Sequence, residues 1–221
     1  MIAENVKRIL AELPQGVELE AAAKTRSAEE IEEAIAAGVK IIGENYMKDM
    51  KRVYPEVKLK ARWHFIGSPK TQKHDLLKIK YLKAFDMIET VDSFEVAQAI
   101  SEKCARIPKI MPILIEVNSG REPQKSGVMP EEVEDLAKKI SSLKNVKLMG
   151  LMTMGPRFGN PEDSRPYFKQ TKQIFERIKS LQLPNVEMKY LSMGMTNSYK
   201  VAIEEGANLV RIGTKIFGER R

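Results

Sequence analysis

Three features of the sequence predict a single (β/α)8 barrel spanning residues 1–221. Short apolar runs alternate with segments of helical period, and the alternation repeats eight times, as a closed parallel sheet with surrounding helices requires. The clearest run, Ile110 to Val117, is nearly all apolar, which is how a strand buried on both faces reads. Most runs end in small or polar residues, and in α/β proteins the strand ends are where ligands collect. An open doubly wound sheet is the alternative. Against it, no Gly-x-Gly-x-x-Gly follows the first strand and no two-half organisation is visible.

Residues Ile2 to Glu12 place Val6, Ile9 and Leu10 at helical spacing, so a helix precedes the first strand. Pro14-Gln15-Gly16 ends it, and Val17 to Ala23 forms strand one. Ser27 with Glu30 three residues on is a capping box for the next helix, and Gly38 stops that helix. Strand two is Val39 to Ile42, closed by Gly43-Glu44-Asn45 before a polar helical stretch to Val53. Strand three is Arg62 to Gly67, followed by one lysine-rich helix over Lys70 to Lys83. Ala84 to Thr90 is strand four, and Asp92 with Glu95 caps the helix that runs to about Lys103. Strand five ends at Asn118-Ser119-Gly120, and Pro130 opens the following helix. Strand six, Val146 to Met152, ends at Thr153-Met154-Gly155-Pro156, and a long helix covers Pro161 to Ser180. Strand seven, Val186 to Leu191, ends at Ser192-Met193-Gly194-Met195. Strand eight, Asn208 to Ile212, ends at Gly213-Thr214.

At 221 residues, with no linker or low-complexity tract, the chain reads as one domain. No apolar run is long enough for a signal peptide or a membrane span. The one cysteine, Cys104, has no partner for a disulfide or a metal cluster, which points to a reducing cytosol. The net charge of +7 admits an anionic partner. Lysines alternate with glutamates along most helices, however, so a solvated surface rather than a nucleic-acid stripe is expected. His64 has only His74 for company, so it reads as a satisfied strand histidine rather than a zinc ligand. Trp63 and the twelve methionines read as core.

Lys24 falls at the C-terminal end of strand one. A lysine leaving a buried strand loses hydration, which favours the free amine and Schiff-base chemistry; a solvated loop lysine is the plain alternative. Arg211 lies in strand eight, where a guanidinium must be paired, with Glu44 or Glu89 for instance, or turned to a ligand. Strands seven and eight end in Ser192-Met193-Gly194 and Gly213-Thr214, small residues able to wrap a phosphate or simply to make tight turns. Strands one and eight are neighbours in a closed barrel. Lysine, arginine and phosphate cradle would then share one mouth, which suits an aldehyde-bearing phosphate ester such as pyridoxal 5′-phosphate.

Several motifs occur in one order: Lys24-Thr25, Gly43-Glu44-Asn45-Tyr46, His64-Phe65-Ile66-Gly67, Lys125-Ser126-Gly127, Gly150-Leu151-Met152, Leu191-Ser192-Met193-Gly194-Met195 and Val210-Arg211-Ile212-Gly213-Thr214. Together they resemble the pyridoxal phosphate homeostasis proteins, nearly end to end. The resemblance implies a barrel similar to the N-terminal domain of alanine racemase, with Lys24 holding the cofactor as a Schiff base. It further implies Ser192, Met193, Gly194, Gly213 and Thr214 around the phosphate, Arg211 at the pyridine nitrogen and Asn45 beside the cofactor. One stretch departs: the family reads Pro-Leu-Gln-Ser-Asn-Lys where this chain has Ser68-Pro69-Lys70-Thr71-Gln72-Lys73.

The expected function is a non-catalytic, monomeric carrier of pyridoxal phosphate that serves apo-enzymes. Arginine keeps its proton, so the ring nitrogen stays neutral and the ring is a poor electron sink. The chain ends soon after strand eight, without the second domain from which alanine racemase draws an opposing acid/base. A small racemase-like enzyme is the alternative, and a Schiff-base aldolase acting on a sugar phosphate ranks last.

Overall fold

Eight parallel strands close into a barrel in chain order. They are β1 (Glu18–Ala22), β2 (Ile41–Glu44), β3 (Arg62–Phe65), β4 (Met87–Val91), β5 (Met111–Val117), β6 (Val146–Thr153), β7 (Val186–Ser192) and β8 (Leu209–Ile212). β8 returns to β1 with Arg211 opposite Glu20, which completes the ring. The structure, a computed structural model, describes residues 1–122, 124–155 and 159–219; Pro156 of the expected β6 turn lies outside them.

The helices are α1 (Ile2–Glu12), α2 (Ala28–Ala36), α3 (Met47–Val53), α4 (Pro69–Leu76), α5 (Ile79–Ala84), α6 (Phe94–Cys104), α7 (Val133–Ile140), α8 (Arg165–Ser180), α9 (Tyr199–Glu204) and α10 (Thr214–Phe217). Ser27 makes both bonds of the expected capping box, accepting from the Glu30 amide while the Glu30 carboxylate accepts from its own.

Five expectations need correction. The lysine-rich segment is two helices, because the chain turns at Leu77-Lys78 and leaves α4 and α5 as separate short elements. β4 consequently begins at Met87, and Ala84 belongs to α5. The cap of α6 is Ser93, whose hydroxyl accepts from Val96; Asp92 is buried and sits 3.0 Å from the Lys70 ammonium instead. Ile110 stays outside β5 at 57% exposure, and two 3-10 turns, Pro130–Glu132 and Pro161–Ser164, lead into α7 and α8.

Apolar side chains pack in two places. The larger cluster lies between sheet and helices and includes Trp63, Cys104, and Phe65 packed edge-on against Phe85 with ring centroids 5.6 Å apart. The smaller cluster is Ile41, Met87, Leu114, Met152, Tyr190 and Leu209. Side chains alternate across a strand, so residues two further along β4, β5, β7 and β8 share the face of Met87, Leu114, Tyr190 and Leu209. Those residues are Glu89, Glu116, Ser192 and Arg211. An apolar layer and a polar layer nearer the strand C-termini therefore fill the barrel.

Ser27→Ala removes one bond of the capping box and should lower stability by about 1 kcal/mol in urea unfolding, with an unchanged denaturant slope.

Candidate functional site

Lys24 stands two residues past β1, in the turn that leads to α2. The next residue, Thr25, has φ 67°, a left-handed conformation that costs a β-branched residue on the order of 1–3 kcal/mol. Neighbouring elements hold it there. The Thr25 amide donates to Asp49 Oδ2 of α3 at 3.1 Å, and Arg52 of α3 donates to the Arg26 carbonyl at 2.9 Å. Arg26 in turn reaches across to the Gly218 carbonyl at 2.6 Å. The turn is thus tied to α3 on one side and to the C-terminal segment on the other. The Lys24 ammonium lies 4.6 Å from the Tyr46 ring centroid, a cation–π contact. Among the described residues no carboxylate forms an ion pair with it.

A cavity of about 560 Å³ opens at this end of the barrel, a size suited to a small-molecule ligand. Lys24, Asn45, Arg211, Gly213 and Thr214 all line it. Ser192, Met193 and Gly194 do not: they stand behind the wall, and the next residue, Met195, reaches the surface of the cavity. Met193 is part of the main apolar cluster. Gly194 has φ +88°, and a Cβ there would come within 2.6 Å of the Ala202 Cβ and 2.8 Å of the Tyr199 Cα, so the turn after β7 needs glycine.

Asn45 donates to the Ile66 carbonyl at 3.2 Å. Its own carbonyl accepts from Gln72 Nε2 at 2.9 Å, while Gln72 Oε1 accepts from the Met47 amide at 2.7 Å. The divergent loop is therefore part of the cavity wall, with Ser68, Thr71 and Gln72 facing in. Sequence reasoning gave these residues no role, since a glutamine clamping a neighbouring backbone has no local signature.

Arg211 has the partner problem expected of it, solved through an intermediary. Its Nη1 donates to Ser192 Oγ at 2.6 Å and its Nη2 to the Thr153 carbonyl at 2.8 Å. Ser192 Oγ donates in turn to Glu89 Oε2 at 2.7 Å. Glu44 is not involved, and its buried oxygens have no hydrogen-bond partner among the described residues. His64 is satisfied as expected, with Nδ1 2.6 Å from Glu89 Oε1.

One carboxyl escaped the sequence reading. Glu116 on β5 lines the cavity; burial, and secondly the charge of Asp92, push it up to about 7. Burial, reinforced by Asp49, pushes Glu44 up to about 8. The available signal for Glu116 was the one used for Arg211, a charge inside an otherwise apolar strand.

The raised Glu44 carboxyl gives stability a pH dependence. Between its ordinary value of 4.5 and about 8 the folded chain holds a proton that the unfolded chain has released, so stability falls as pH rises through that window. Glu44→Gln removes this contribution. Urea unfolding at pH 5 and pH 8 should show a smaller loss for the variant, by up to about 3–4 kcal/mol. An identical loss in both proteins would assign the dependence elsewhere. Asp49→Ala releases the strained Thr25 amide and should cost about 1–3 kcal/mol in the same assay.

The whole chain, residues 1–221, matches the family described as alanine racemase, N-terminal domain. A pyridoxal phosphate homeostasis protein of Aquifex aeolicus is 40% identical over 202 residues, 90% of this chain and 86% of that one. The protein of that name from Pasteurella multocida is 35% identical over 207 residues, covering 92% and 87%. Among solved structures, PipY of Synechococcus elongatus with PLP bound aligns with a TM-score of 0.88 at 27% identity, over 99% of this chain and 100% of that one. An alanine racemase of Clostridium difficile aligns at TM-score 0.80 and 14% identity, over 99% of this chain and 56% of the racemase, a likeness of fold alone. A barrel of this build, with sequence identity of this extent, places the chain in the family of pyridoxal phosphate homeostasis proteins, on the alanine racemase N-terminal domain.

Proposed function

We propose that the protein binds pyridoxal 5′-phosphate in this cavity and holds it reversibly through Lys24, as a monomeric intracellular store that serves apo-enzymes without turning substrate over. The observation that carries the reading is the convergence of Lys24, Arg211 and the Gly213-Thr214 turn on one cavity of about 560 Å³. Relatives named for pyridoxal phosphate homeostasis, and a structural neighbour described with PLP bound, support the choice of ligand.

When bound, the cofactor supplies an aldehyde that condenses with a primary amine, and Lys24 is the amine in this reading. Tyr46 flanks the lysine and Asn45 borders the same wall. Gly213 and Thr214 offer backbone and hydroxyl donors suited to a phosphate. Ser192, Met193 and Gly194 shape the wall from behind. Arg211 presents a permanently charged guanidinium that donates hydrogen bonds and cannot surrender its proton, so the group it meets remains unprotonated. That favours holding over turnover, because a neutral ring nitrogen draws little electron density from an attached amino acid.

Purified protein with added pyridoxal phosphate should develop an absorption band at the visible edge, which borohydride fixes onto the peptide that contains Lys24. Lys24→Ala should lose both the band and the label. Loaded protein incubated with amino acids in heavy water should leave their α-hydrogens unexchanged; steady exchange would favour a racemase-like enzyme instead. Protein that takes up no pyridoxal phosphate would overturn the reading.

A further inference from the structure

Arg211 is the visible end of a buried chain of polar groups. Its guanidinium bonds Ser192 Oγ at 2.6 Å, Ser192 bonds Glu89 at 2.7 Å, Glu89 bonds His64 at 2.6 Å, and His64 Nδ1 lies 3.7 Å from Glu20 Oε2. All five side chains are buried, and they come from β8, β7, β4, β3 and β1. The chain therefore crosses the interior and returns to the strand beside its start, since Glu20 pairs with Arg211 in register. Room for Glu20 is provided by Gly43 on β2, where a Cβ would fall 1.8 Å from Glu20 Oε1.

The hydrogen bonds have one consistent direction. A hydroxyl has a single proton, and that of Ser192 goes to Glu89, so toward Arg211 it can only accept. Burial works to raise the Glu89 carboxyl, but His64 chiefly, with Arg211 behind it, holds it below the usual range and therefore ionised. Burial likewise opposes protonation of His64, and the two carboxyls outweigh it and keep the imidazole charged. An ionised Glu89 lies between the two cations, His64 and Arg211, and offsets part of their charge inside the barrel.

We propose that Ser192 and Glu89 are positioning residues for Arg211, with His64 bracing Glu89 behind them, so that this chain fixes how the guanidinium is presented to the ring of the ligand. The inference rests on the reading of the cavity as a pyridoxal phosphate site. It moves the Ser192 hydroxyl away from the phosphate, where family resemblance would put it, and gives it to the arginine. No proton is transferred; hydrogen bonds run unbroken from Arg211 to His64, and Glu20 stands beyond them at 3.7 Å.

Two ligands separate the roles. Pyridoxal lacks the phosphate, so a serine that acts through Arg211 should matter equally for pyridoxal and for pyridoxal phosphate. In Ser192→Ala both dissociation constants, from absorbance titration, should rise by the same factor, about tenfold, and the visible band should shift. A loss confined to pyridoxal phosphate, with the band unmoved, would assign Ser192 to the phosphate and overturn the proposal. A second measurement needs no ligand: nitrogen NMR of the arginine guanidinium groups in ligand-free protein. The Arg211 signals should report slow rotation in the native protein and faster rotation in both Ser192→Ala and Glu89→Gln, with thermal unfolding confirming that each variant is folded. Free rotation in the native protein, or no change in folded variants, would also overturn it. Should the native protein bind neither ligand, the functional reading fails, and the NMR result alone decides the arrangement of Arg211.

Discussion

A guanidinium inside a parallel barrel must be neutralised where it stands, and the match between Arg211 and Glu89 through Ser192 satisfies that constraint. Much of the interior follows from it. The charges stand on β8 and β4, across the interior from one another, and Ser192 of β7 spans the gap between them. They also need shelter from water below, which Ile41, Met87, Leu114, Met152, Tyr190 and Leu209 provide. Removing the Glu89 charge would leave Arg211 and His64 buried without the anion that lies between them, a larger penalty than the arrangement itself carries. The barrel is therefore divided into an apolar floor that stabilises and a polar storey that orients.

The lysine turn follows a different logic. Nothing buries Lys24 fully, and its position is set by backbone: a left-handed Thr25 held by an aspartate of α3, and an Arg26 tied to the end of the chain. Strain of this kind persists only where surrounding structure over-determines it. Arg211 and Lys24 are thus fixed by unrelated means, one by a side-chain network inside the barrel and the other by a clamped turn at its rim.

Much of this was legible in the residues. Alternating runs gave the eight strands, and charges in apolar strands pointed to Arg211. The Ser27-x-x-Glu30 pattern located the helix that follows Lys24. What stayed hidden depended on distance rather than on pattern. Asp92 has the spacing of a cap yet turns to Lys70, because a buried carboxylate gains more from an ammonium than from an amide. Leu77-Lys78 breaks a helix without glycine or proline to announce it. Ser192 reads as part of a phosphate turn, and its bonding to Glu89 spans 103 positions of sequence. The name of the ligand drew on family likeness as well as on chemistry.

Gln72 ties α4 to the loop that carries Asn45 with two bonds of opposite polarity, one to each side of Tyr46. An asparagine there would be shorter by one methylene, roughly 1.5 Å of reach. A shorter amide spans the same gap only if its helix stands closer to the barrel, so side-chain length at 72 and the seating of α4 are one variable. Trading a methylene at 72 against a displacement of α4 would thus widen or narrow the wall of the cavity, with Lys24, Arg211 and the Gly213-Thr214 turn left where they stand.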